Sequence, residues 1–206
     1  MNSSSKLMQD AVDQMATLPG IGKKTAFRLV LSLLKRENNE VEQFTQAIAE
    51  LKKNIKYCTE CHHLSDDEIC SICSGSRRDA ETICVVEEIN DVIAIETTQQ
   101  YNGLYHVLGG IISPMDGIGP QDLKINSLIE RTKRLLPKEI IFALRATMEG
   151  DTTSFYIFKK LADTGIKTSL LARGVSIGGE LEYADEITLG RSIVNRTPFE
   201  RTILSQ

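Results

Sequence analysis

Tryptophan is absent from the 206 residues and aromatic side chains make up 5% of them. That shortage excludes nothing by itself; other absences say more. No run of about 18 uninterrupted apolar residues occurs, so no transmembrane helix is expected. The opening residues, MNSSSKLMQD, contain no apolar stretch of the kind a secretory signal needs, and a cytoplasmic protein without membrane attachment is expected. Internal repeats and low-complexity tracts are also missing. The five cysteines are an odd number, which in a reducing compartment argues against a disulfide framework. Positive charge is in deficit: the net charge of −4 argues, on composition alone, against nucleic-acid binding.

The average hides an asymmetry. Residues 1–36 hold Lys6, Lys23, Lys24, Arg28, Lys35 and Arg36 against Asp10 and Asp13, a balance of +4, which leaves −8 for the remainder. A basic end on an acidic body suits phosphates at one place and a protein partner at another. Apolar residues recur at helical spacing over 6–17, 23–37 and 40–55. Residues 57–79 carry four of the cysteines and no period, and TICVVEEI (82–89) has the pattern of a buried strand. Beyond it, strand-like runs at 92–97, 104–110, 139–144, 167–172 and 186–189 alternate with helix-like runs at 123–136 and 152–165. Such alternation predicts an α/β fold with a largely parallel sheet. The expected division is a helical module over 1–55, a cysteine module over 56–79, an α/β domain over 80–175 and a C-terminal segment over 176–206.

The first two helical runs are joined by LPGIG (18–22). Pro19 fixes φ, while Gly20 and Gly22 allow the backbone close to a ligand. The next helix is predicted to begin at about Lys23, so its unpaired N–H groups and positive dipole end lie beside Lys23, Lys24 and Arg28. This arrangement suits phosphate contact that reads no bases. A nucleotide P-loop does not fit: Lys24 follows the Gly-Lys pair where Ser or Thr is required, and Thr17 stands where a glycine is required. A helical hairpin with a solvated basic face is the plainer alternative. The stretch LPGIGKKTA resembles the helix–hairpin–helix motif, which implies sequence-independent DNA binding.

The cysteines are spaced Cys58-x2-Cys61-x8-Cys70-x2-Cys73. Each CxxC turn presents two thiolates, and two such turns close a tetrahedral site for Zn²⁺, one ion per chain. Four thiolates leave no position open for water, so the expected role is structural. A pair of redox dithiols is the alternative. His62 and His63 are expected at the surface or beside the site, and Cys84 as a small buried hydrophobe.

Glu87 ends the strand-like ICVVEE, and LRATMEGD (144–151) follows the strand-like EIIFA, placing Glu149, Gly150 and Asp151 where a strand gives way to a helix. Carboxylates at strand ends are where α/β proteins hold metals. The pattern resembles the Toprim domain of type IA topoisomerases, primases and related nucleases, in which a glutamate after the first strand and a later Asp-x-Asp hold Mg²⁺. Here Arg145 and Thr147 stand in the Asp-x-Asp positions. A hard cation wants carboxylate oxygens, and an arginine repels it. Glu87, Glu149 and Asp151 are instead expected to form an acidic cluster for a basic partner. LEYADEITL (181–189) has a Walker-B look without a Walker A, so no ATP hydrolysis is expected.

Helix–hairpin–helix, four cysteines and Toprim, in that order, together with YNGLYHVLGGIISPMDGIGP and ARGVSIGGELEYADEITL, resemble the RecR family of bacterial recombination mediators over nearly the whole chain. The resemblance implies a non-enzymatic DNA-repair protein that forms ring-shaped homotetramers and works with RecO and RecF to load RecA on gapped DNA, with RecO meeting the acidic cluster. The tail RTPFERTILSQ extends past the matching pattern. A Mg²⁺-dependent Toprim nuclease, and a zinc-bearing accessory protein acting only through protein contacts, are the alternatives.

Overall fold

A computed structural model describes residues 5–198 except 177. The chain forms two compact units that divide between Ile55 and Lys56. The first contains α1 (Lys6–Met15), α2 (Lys23–Leu33) and α3 (Asn38–Asn54). Helix α1 begins where the Ser5 hydroxyl accepts from the Met8 amide. It packs on α2 through a small core of Val12, Ala26 and Val30, with Met8, Met15 and Phe27 around it. Helix α3 buries no residue within this unit.

The second unit opens with a two-residue ladder, β1 (Lys56–Tyr57) antiparallel to β2 (Leu64–Ser65). Then come β3 (Asp79–Val86), α4 (Ile89–Thr97), β4 (Gly103–Val107), α5 (Ile125–Leu135), β5 (Glu139–Ala143), α6 (Met148–Leu161), β6 (Lys167–Leu170) and α7 (Glu186–Val194). Strands β3 to β6 form one sheet in the order β4-β3-β5-β6, and every pairing is parallel. The mostly parallel α/β domain follows the alternation in the sequence. Because β3 alternates sides, its two faces enter two cores. Ile83 and Val85 pack with Leu104, Leu128, Ile140 and Ile157, whereas Cys84 and Val86 pack with Tyr105 and Val107.

Two expected strands are helices. Residues 92–97 lie in α4, and 186–189 begin α7. Helix α4 is started by the Asp91 side chain, which accepts from the Glu88 amide at 2.8 Å while the Asp91 amide donates to the Glu88 carbonyl at 3.2 Å, and only Val92 is buried. In α7 the Asp185 side chain accepts from the Thr188 amide. Capping outweighed the β-branched side chains that gave these runs their strand-like look. The Walker-B look of 181–189 goes with it, since a 3₁₀ turn (Leu181–Tyr183) and a helix replace the strand that motif needs. Residues 199–206 of the C-terminal segment lie outside the described residues. No helix among the described residues is long and apolar enough to cross a membrane.

Candidate functional site

In the first unit, Gly20 has φ of +78°, a conformation that favours glycine. Gly22 is the N-cap of α2 and offers no side chain to bond the helix's first amides. Its φ is an ordinary −78°, and a Cβ there would meet nothing within 4 Å. The turn therefore exposes a helix N-terminus with Lys23 and Lys24 in its first turn and Arg28 one turn on, all solvent-exposed. Lys23 lies 3.9 Å from Asp13, a loose exposed pair of little strength.

At the start of the second unit, Cys58, Cys61, Cys70 and Cys73 bring their sulfurs within 4.8 Å of one another. No other set of three or more His, Cys, Asp or Glu donors among the described residues lies so close. Four sulfurs about 3.8 Å apart are what a tetrahedron with Zn–S bonds of about 2.3 Å requires. Cys61 and Cys70 are at 3.5 Å. The Cys70 amide donates to Cys58 Sγ at 3.3 Å and the Cys73 amide to Cys70 Sγ at 3.5 Å, contacts that favour thiolates. Hydrogen bonding with Cys70, then with Cys73, then burial push the Cys61 thiol up, a crowding that a soft divalent cation would relieve. The donor set fits Zn²⁺.

The cysteine module is continuous with the sheet. Cys58, Cys61, Cys70 and Ile72 share one apolar cluster with Cys84, Val86, Val92, Tyr105 and Val107. The Val107 amide on β4 donates to the Cys61 carbonyl at 2.8 Å. His62 has φ of +63° and places Nε2 2.7 Å from Ser127 Oγ, bonding α5 by that nitrogen. Cys84 is buried, and desolvation pushes its thiol up to about 12. Sequence reasoning gave no sign of Arg131, which is buried on α5 and donates to Cys73 Sγ at 3.4 Å. Fifty-eight residues separate the two, and no local pattern marks such a pair.

The third place lies at the carboxyl ends of β3 and β5, where the strand order reverses and α/β sheets open a crevice. A cleft of about 480 Å³ there is lined by Glu87, Glu88, Asp116, Arg145, Thr147 and Glu149 among others. Glu87 is 5% exposed. Arg145 grips it with two parallel bonds, Nε to Oε2 at 2.7 Å and Nη2 to Oε1 at 2.5 Å. Thr147 is the N-cap of α6 and accepts from the Gly150 amide at 3.2 Å. The two residues in the Asp-x-Asp positions thus act as counter-ion and helix cap. Asp151, in the first turn of α6, is paired with Arg173 at 2.7 Å and is not among the residues lining the cleft. The hydrogen bond from Arg173 holds the Asp151 carboxyl below its ordinary range. Glu149 is exposed, and its carboxylate has no hydrogen-bond or ion-pair partner among the described residues.

Four family models match in the order of these features. They are described as RecR, helix-hairpin-helix (residues 8–52), the RecR zinc finger domain of the four-cysteine type (55–75), Toprim domain (81–172) and RecR, C-terminal (174–197). The chain is 60% identical over 199 residues to a protein of Bacteroides thetaiotaomicron named Recombination protein RecR, which covers 97% of each chain. Proteins of the same name from Porphyromonas gingivalis, 56% identical over 97% of each chain, and Flavobacterium johnsoniae, 57% identical over 98% of each, are similar throughout. With these matches spanning its length, the chain belongs to the RecR family.

Proposed function

We propose that the chain is a non-enzymatic DNA-binding recombination mediator in DNA repair. It acts with RecO and RecF to help load RecA on gapped DNA. In this reading residues 1–55 bind DNA, 56–79 hold one structural Zn²⁺ per chain through Cys58, Cys61, Cys70 and Cys73, 80–175 form the Toprim body, and 176–206 complete the chain.

The turn at Gly20–Gly22 carries the proposal. The backbone favours glycine at position 20, where φ is positive, but asks for none at position 22, where φ is ordinary and the space above Cα is open. A ligand backbone pressed against the helix N-terminus gives that second glycine a purpose. Gly20, Gly22, Lys23, Lys24 and Arg28 then contact phosphates without reading sequence. Each phosphate neutralised contributes about 0.9 to the log–log salt slope on duplex DNA. The test is reversal of charge at Lys23 and Arg28, with binding measured on several unrelated duplexes across salt. Loss should be equal on every sequence and the slope shallower. Unchanged affinity would move DNA binding elsewhere.

A self-associating ring, the homotetramer proposed for this chain, gains support from α3. Phe44, Ile48 and Leu51 of α3 are 38%, 53% and 60% exposed, apolar surface of the kind a second copy covers. For the acidic cluster, Glu87 is already neutralised by Arg145 and Asp151 by Arg173, which favours Glu149 as the carboxylate offered to RecO. Glu149→Ala with Asp151→Ala should leave DNA binding intact and weaken RecO binding, most of the loss following Glu149. Normal RecO binding by the double variant would remove this interface. The Arg145–Glu87 pair disfavours nuclease chemistry, and Mg²⁺-dependent DNA cleavage by the wild type would reverse that reading.

A further inference from the structure

The polar contacts around the four cysteines run into the sheet through one buried side chain. Arg131 is 3% exposed and is the only Lys or Arg buried among the described residues. Its Nη1 donates to the Tyr105 carbonyl of β4 at 2.6 Å, and its Nη2 donates to Cys73 Sγ at 3.4 Å. Its Nε lies 3.5 Å from Glu60 Oε2 without forming a hydrogen bond. The Tyr105 hydroxyl donates to Glu96 at 2.7 Å, and Glu96 is held by Arg78 at 2.8 Å. Arg78 lies five residues beyond Cys73. The contacts therefore close a circuit, from Cys73 through Arg131, Tyr105, Glu96 and Arg78 back to the chain leaving the cysteines.

A buried guanidinium is costly unless negative charge faces it. Glu60 supplies one carboxylate but shares it with Arg134, whose Nη2 lies 2.5 Å away. Four thiolates around one divalent ion carry a net charge of −2, and Arg131 donates straight to one of those sulfurs. The same side chain has its other fork nitrogen on β4. We propose that Arg131 is the positioning residue of the metal centre: it supplies the counter-charge, orients Cys73, and through the Tyr105 carbonyl makes β4 depend on whether the ion is bound. This inference rests on the Zn²⁺ reading above.

Outer partners of metal ligands typically contribute about 10–100-fold in metal affinity. Lysine keeps the charge but is a compact point donor that cannot reproduce the planar fork bridging Tyr105 and Cys73. The experiment compares the full-length wild type, Arg131→Lys and Arg131→Gln. It measures Zn²⁺ affinity by competition with a chromophoric chelator, and amide hydrogen exchange over 103–107 before and after chelation. Arg131→Gln should bind Zn²⁺ about 10–100-fold more weakly. Arg131→Lys should recover much of that affinity yet exchange faster at β4 while Zn²⁺ is bound. Wild type should reach the same fast exchange only on chelation. Equal affinity in all three proteins, or β4 exchange indifferent to Zn²⁺ in the wild type, would overturn the proposal. If Arg131→Gln does not fold, β4 exchange in Zn²⁺-loaded Arg131→Lys decides, and a wild-type rate there overturns it. A wild type that binds no Zn²⁺ removes the metal reading itself, an outcome distinct from unaltered affinity among the variants.

Discussion

Gly150 sits in the first turn of α6 with its Cα facing the carbonyl of Arg145, and a Cβ there would lie 2.1 Å from that oxygen. The glycine of EGD is thus a packing requirement that lets the chain double back between β5 and α6. Gly150→Ala should destabilise the protein by about 1–3 kcal/mol, the usual cost of overpacking. Urea denaturation would measure it, and an unchanged midpoint would mean that the turn relaxes freely. Arg145→Ala raises the opposite problem, leaving the buried Glu87 carboxylate without its counter-ion. That variant should melt below wild type, and adding Glu87→Gln should restore much of the loss. If the double variant melts no higher than Arg145→Ala, the ion pair is not what holds this crevice together. The resemblance to the Toprim pattern placed Arg145 where that pattern has an aspartate. It did not reveal that Arg145 reaches back 58 residues to Glu87, because side-chain pairing across a sheet leaves no local pattern.

Elements whose signals are local were the most legible. The cysteine spacing and the LPGIG turn name their own geometry, and α2 begins at Lys23 as its glycines implied. Helix α4 was misread because Val92, Ile93 and Ile95 favour strands, whereas the capping residues that decide the matter lie just upstream. Strand β4 carries a less visible feature. His106 is fully buried and donates from Nε2 to the Lys124 carbonyl at 2.9 Å, with Nδ1 unpartnered. Burial is the main force pushing its pKa down to about 3 from the ordinary 6.5, with the nearby Arg131 and His62 adding to it. The unfolded chain therefore takes up a proton below about pH 6.5 that the folded chain refuses. Stability should fall as pH drops from about 6.5 towards about 3. His106→Gln should flatten that dependence in part; His62, whose pKa burial also lowers, and carboxylates held low by arginine partners, Asp151 by Arg173 and Glu96 by Arg78, account for the rest. An equally steep profile in the variant, followed by thermal melts across this pH range, would assign the acid lability to other groups.

At the scale of the whole chain, the N-terminal unit buries little. Among the described residues its buried core is Val12, Ala26 and Val30, while a groove of about 690 Å³ lined by Met15, Leu18, Val30, Leu34, Phe44 and Ile48 lies open. A core of this size supports a folded unit weakly, and under the self-association proposed above a second copy that binds only the folded form would add stability by mass action. The melting temperature should therefore rise with protein concentration, and Phe44→Glu with Ile48→Glu should abolish the rise. A concentration-independent melt in the wild type would count against self-association through α3. The C-terminal unit has a different exposure, set by one bond described above. Strand β4 is a border of the sheet, and its outward amide at Val107 is taken by the Cys61 carbonyl. The cysteine module is in effect a cover on a strand that would otherwise offer free amides to any passing chain. On the Zn²⁺ proposal, a chelator that dissolves the module would bare that border, and the metal-free protein should aggregate by edge-to-edge pairing well before the rest of the sheet melts.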